Sequence, residues 1–129
     1  MDALAEELFH AYQDFHYNGL PSSNNGRVNV EFEAKLYNDI ECFIRGGVCS
    51  YLINTAAYYN WLEYITNYGL SHPTWDNLLE KINFWDNKNY WDFLQEFSES
   101  NSGYNYLPNY DMEPKAILNM LEKSKQIGC

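Results

Sequence analysis

Val48–Tyr68, VCSYLINTAAYYNWLEYITNY, is almost continuously apolar and aromatic, and the choice between helix and strand here decides the fold class. Its length favours helix, because strands of this composition usually stop after a handful of residues. Apolar side chains all round its circumference predict a central, buried helix. Two features complicate this reading. Asn54-Thr55 offers a break, and the β-branched and aromatic residues of Val48–Ile53 leave a short strand open. Gly69 closes the segment.

Working upstream, Arg45-Gly46-Gly47 interrupts a helix running from about Asn29, with Phe32, Leu36, Ile40 and Phe43 on one face. Paired glycines are poor interior helix residues. A first helix is expected from Asp2 to Tyr17, with Leu4, Leu8, Tyr12 and Phe15 inward, ended by Asn18-Gly19 and followed by the turn-rich connector GLPSSNNGR. Downstream, Pro73 suits a first helical turn, and Trp75, Leu78, Leu79 and Ile82 define a short amphipathic helix. A further helix spans roughly Asn87 to Glu99, with Tyr90, Phe93, Leu94 and Phe97 inward. After the loop SESNSGYNYLP, Asp111 is expected to cap a last helix bearing Ile117, Leu118 and Leu121, with Lys123 and Lys125 in its final turn. The sum is an all-α, compact single-domain bundle of five to six helices, within the size range of one domain.

Eighteen Asp and Glu against eight Lys and Arg give a formal net charge of −10. Such a field repels nucleic acid and anionic membranes and attracts basic protein surfaces. The eight basic residues are scattered, several of them four residues from an acid, as in Glu31 and Lys35, so no basic groove for phosphates is expected. The start MDALAEELFHAYQDF has neither the basic nor the apolar region of a signal peptide, and no run is long enough to span a membrane. Three cysteines, Cys42, Cys49 and Cys129, are odd in number and outside CxxC spacing. They predict a reducing compartment, with Cys42 and Cys49 as small core or boundary residues. The cytoplasm of a bacterium or of an infected host cell is therefore expected.

Catalytic patterns are sparse. Glu7, His10 and Asp14 share one helix face, but a helical di-metal site needs matching ligands from other helices, and no second carboxylate–histidine pair has that spacing. No GxSxG elbow or phosphate-binding glycine loop is present. No catalytic residue, metal site or cofactor is predicted.

The acids themselves form a pattern. Asp92, Glu96 and Glu99 fall at i, i+4 and i+7 opposite Tyr90, Leu94 and Phe97, an outward carboxylate stripe. Helix neighbours of this kind stand about 5–6 Å apart, of the order of the charge spacing along a nucleic-acid backbone. Glu6, Glu7 and Asp14 supply a second outward set, and Glu31, Glu33, Asp39 and Glu41 a third. All ten are predicted partner-binding residues for a basic protein surface.

The segment Gly46-Gly47-Val48-Cys49-Ser50-Tyr51-Leu52-Ile53-Asn54 resembles the pattern GG-x-x-x-aromatic-apolar-x-Asn of the acidic DNA-mimic protein family first described in pathogenic bacteria. The stretch WDNKNYWDFLQEF, Trp85 to Phe97, is similar in character to that family's acidic, aromatic helix. The chain departs from the family in carrying Ile44-Arg45 before the glycines, where asparagines are usual, and Ser50 where glutamine is usual. The resemblance implies an all-α fold, often dimeric, whose carboxylates occupy the binding site of a DNA-binding protein. A non-enzymatic inhibitor of a nucleic-acid-binding protein is thus expected, suited to a phage or mobile-element product acting on a CRISPR or restriction component. Competing readings are an immunity or antitoxin-type binder of a basic toxin, a metal enzyme built on Glu7, His10 and Asp14, and an aromatic docking module.

Overall fold

The structure, a computed structural model, describes residues 3–17, 26–80, 88–100 and 108–126, and within them the side chains of all but 3–7, 15–16 and 124–126. Six helices lie in this part: α1 (Ala3–His16), α2 (Arg27–Arg45), α3 (Ala56–Ile65), α4 (Trp75–Leu79), α5 (Tyr90–Ser100) and α6 (Lys115–Gln126). No strand occurs among the described residues. The helical bundle expected from the sequence is the fold observed.

Helix α2 is the hub, with α1, α5 and α6 all packing against it. Val28, Phe32, Leu36 and Ile40 recur every four residues and are fully buried. Against this row pack aromatics of α5, which in turn meet those of α3. Phe32 meets Tyr90 edge-on at 5.3 Å, and Trp61 lies 4.9 Å from Phe93. Each such ring contributes roughly 2–3 kcal/mol through the apolar area it removes from water. The predicted inward face of α5 (Tyr90, Phe93, Leu94, Phe97) is buried throughout.

Three expectations change. First, the apolar run after the glycines is not one helix. Gly46 (φ 82°) and Gly47 (φ 105°) turn the chain in the left-handed region that glycine adopts at least cost, and residues 47–54 form an irregular elbow. Helix α3 starts only where Thr55 accepts the Tyr58 N–H on its hydroxyl at 3.2 Å, so the break at Asn54-Thr55 is a helix cap. Second, α1 is rotated from its predicted face. Leu8 is exposed, whereas Phe9 and Gln13 are buried, because Gln13 donates to Val30 O at 3.0 Å and to Glu33 Oε1 at 2.5 Å inside the bundle. Third, Asp111 is exposed in a turn and does not cap α6, which begins four residues later. The N–H of Ile117 in its first turn is taken instead by Glu33 of α2. Ile82, expected on the fourth helix, and the connector 18–25 lie outside the described residues.

The cysteine expectation is also corrected. Cys42, in the last turns of α2, is bonded to Cys49 across the glycine elbow, with Cα atoms 6.1 Å apart. The double glycine reverses the chain and brings the two thiols together at a spacing of seven residues, which a search for CxxC passes over.

Candidate acidic interface

The outward face of α5 is built from its first turn. Asn89 Oδ1 accepts the N–H groups of Trp91 (3.1 Å) and Asp92 (3.3 Å), while Asp92 Oδ2 accepts the Asn89 N–H at 2.9 Å. This reciprocal cap satisfies donors that a helix start leaves open. A carboxylate there is also favoured by the helix dipole. Two turns on, Glu99 is exposed, and Glu96 between them is held by Lys88 at 2.9 Å. The middle charge of the predicted stripe is therefore partly neutralised.

The stripe gains residues that the sequence reading did not assign. Tyr110, from the segment before α6, lies edge-on to Trp91 at 6.0 Å and donates to Gln95 Oε1 at 3.5 Å. Loss of solvent, and then the charges of Glu99 and Asp92, push its hydroxyl pKa upward. The fold thus brings Asp92, Glu99, Trp91 and Tyr110 into one acidic and aromatic face. Tyr110 is 18 residues from Asp92, and no periodicity links them.

The other two predicted sets fare differently. Asp14 is exposed on α1, and the side chains of Glu6 and Glu7 lie outside the described residues. Glu31 and Glu41 reach the surface partly. The His10 ring, 3.4 Å from Glu31, holds that carboxyl below its usual pKa through hydrogen bonding and charge, against the opposing effect of burial. Glu41 adds to the burial that raises the Tyr37 hydroxyl to about 12.

Glu33 and Asp39 cannot belong to an outward set, because they are 2% and 3% exposed. Glu33 accepts Gln13 Nε2, the Tyr17 hydroxyl at 2.9 Å and the Ile117 N–H at 3.1 Å. Asp39 accepts the Tyr58 hydroxyl at 2.6 Å and the Leu52 N–H at 3.0 Å. Burial pushes Glu33 up to about 7 and Asp39 to about 6, against the lowering effect of those donors. Their signal was in the sequence: each sits three or four residues from a core position of α2, Glu33 beside Leu36 and Asp39 beside Leu36 and Phe43. Both carboxylates join helices and neither is offered to a partner.

Among the described residues no group of three or more His, Cys, Asp or Glu could hold a metal ion, and no helix is long and apolar enough to cross a membrane. An open groove of about 410 Å³ runs between Pro73–Trp75 and the α6 residues Lys115, Leu118, Asn119 and Glu122, and none of the ten predicted acids lines it. Comparisons with protein-family models, curated proteins and solved structures find no match to this chain.

Proposed function

We propose that this chain is a non-enzymatic binder that presents the α5 face to a basic, nucleic-acid-binding surface of another protein, in place of nucleic acid. The observation that carries the reading is the exposure of Asp92 and Glu99 on one face with Trp91 and Tyr110, on a chain of net charge −10. Carboxylates of this spacing complement a row of Lys and Arg, and the neighbouring rings add the kind of anchor that dominates interface energetics. The role that suits it is a phage or mobile-element inhibitor of a CRISPR or restriction component, acting in the cytoplasm. That setting requires the fold to survive opening of the Cys42–Cys49 bond.

Affinity capture from the native host, with wild-type and Asp92→Lys/Glu99→Lys baits compared by quantitative mass spectrometry, tests the reading. The expected result is a DNA- or RNA-binding protein enriched by wild type and lost with the reversed bait. Enrichment of a cognate toxin would reassign the chain as an immunity protein. Equal capture by both baits would remove α5 from the interface.

A further inference from the structure

The surface segment that follows α2 is tied down by a covalent bond where hydrogen bonds are missing. From Gly47 to Tyr51 no backbone N–H is hydrogen-bonded among the described residues. The flanks of the segment are held separately. Before it, the Gly46 N–H closes α2 on Cys42 O at 3.0 Å. After it, the Leu52 N–H is taken by the buried Asp39 at 3.0 Å, and Ile53 enters the core. The Tyr51 ring rests 6.4 Å from Phe43 and 6.1 Å from Tyr59. Between these anchors Gly47, Val48 and Ser50 are exposed, and Cys49 is tied back to α2 through Cys42.

Three features make this tether removable without loss of the fold. The entry to the segment is an unhindered hinge, because a Cβ added at Gly46 or Gly47 would meet nothing within 4 Å. The bond spans only seven residues, so it constrains the whole chain far less than a long-range crosslink would. The core row of α2 and the rings packed on it owe nothing to it. Finally, both cysteines are partly exposed, and Cys49 has exposed neighbours on either side, within reach of a reductant in solution. In a reducing compartment a disulfide of this kind more often reports redox state than staples a fold.

We propose that Cys42–Cys49 is a reversible redox latch: closed, it fixes residues 47–50 as a rigid flap, and open, it frees them while the helical bundle persists. A dithiol reductant opens it. One reductant thiolate attacks a sulfur of the pair and forms a mixed disulfide, and the other cysteine leaves as a thiolate that takes up a proton. The second reductant thiol then displaces the first cysteine. Two electrons and two protons pass to the chain, and the reductant leaves as its own disulfide. Re-closure is built into the local geometry. Asp39 stands three residues before Cys42 and Leu52 three residues after Cys49, so the Asp39–Leu52 hydrogen bond brackets the disulfide. With the bond open, that bracket keeps both thiols on one short tether, which lowers the entropy lost on closing it. The latch is remote in sequence from α5 and does not rest on the proposed partner.

The experiment is backbone nitrogen relaxation on the full chain carrying Cys129→Ser, so that one pair of cysteines reacts, before and after reduction by dithiothreitol. Order parameters of Gly47–Ser50 should fall from about 0.85 to below about 0.6. Those of Leu52 and α3 should hold, and the helical circular dichroism should persist. Cys42→Ser/Cys49→Ser should show the same mobile flap with no reductant present. Glutathione disulfide added to the reduced chain should regenerate the internal bond, with release of two glutathione thiols, in preference to glutathione adducts. Order parameters unchanged by reduction, or a rigid flap in the double serine variant, would overturn the proposal, because other contacts would then hold the segment. Loss of the helical signal would overturn it too, since the bond would be a staple of the fold. So would a bond that resists dithiothreitol until urea is added, or stable glutathione adducts on Cys42 or Cys49.

Discussion

Glu33 Oε2 accepts the backbone N–H of Ile117 at 3.1 Å, so a carboxylate on α2 closes the first turn of a helix 84 residues away in sequence. The same carboxylate receives Gln13 and Tyr17, and Tyr17 in turn accepts the Ala116 N–H at 3.2 Å. Three helices meet at this one buried acid, and the stability of the bundle is tied to the proton on that group.

Stability should therefore fall as pH rises through neutrality. Glu33 ionises near 4.5 in an unfolded chain and near 7 in the fold, and Asp39 near 3.8 and near 6. Between those values the folded state holds more protons. The contribution is full below the unfolded pKa values and is lost as pH rises through about 6 to 7. The lift at Glu33 corresponds to roughly 3 kcal/mol. Urea denaturation at pH 5 and at pH 8 should show greater stability at pH 5, and Glu33→Gln should flatten the slope. An unchanged slope in that variant would mean that Glu33 does not carry it.

The aromatic core makes a second quantitative demand. Phe93 is fully buried, 4.9 Å from Trp61 and 5.3 Å from Tyr58. Phe93→Ala should cost about 3–5 kcal/mol, measured as a lowered denaturation midpoint. Leu8→Ala, at an exposed position of α1, should change stability by less than about 0.5 kcal/mol. The contrast separates the observed face of α1 from the one that periodicity predicted.

Opening the Cys42–Cys49 bond should have a modest effect. The bond closes a loop of only about seven residues, so removing it costs on the order of 2 kcal/mol through the unfolded chain's added freedom. Asp39 still holds the Leu52 N–H and the Tyr58 hydroxyl. The reduced protein should stay folded by circular dichroism with a lower denaturation midpoint. Loss of the helical signal on reduction would contradict the proposed cytoplasmic setting.

What could be read in the sequence was what local periodicity encodes. Helix α5 declares its inward face at Tyr90, Phe93, Leu94 and Phe97, and α2 does so at Phe32, Leu36 and Ile40. The elbow could not be read this way, because VCSYLIN is as apolar as a buried helix and is held by a disulfide and by Asp39, contacts set by tertiary structure. For the same reason Glu33 and Asp39 looked like surface charge: an acid that caps a distant helix or bonds a distant hydroxyl has no local signature beyond its place beside a core residue. At the acidic face, Asp92, Glu96 and Glu99 follow from helix geometry, whereas Tyr110 enters through folding and Lys88 mutes Glu96.

If the α5 face occupies a nucleic-acid site, chain and nucleic acid must compete for the partner. The captured partner is immobilised, and binding of the chain is measured against increasing duplex DNA or single-stranded RNA at several salt concentrations. Mutually exclusive binding is expected, with affinity that falls steeply with salt and weaker binding by Asp92→Lys/Glu99→Lys. Simultaneous binding of chain and nucleic acid, with an affinity indifferent to salt, would contradict it.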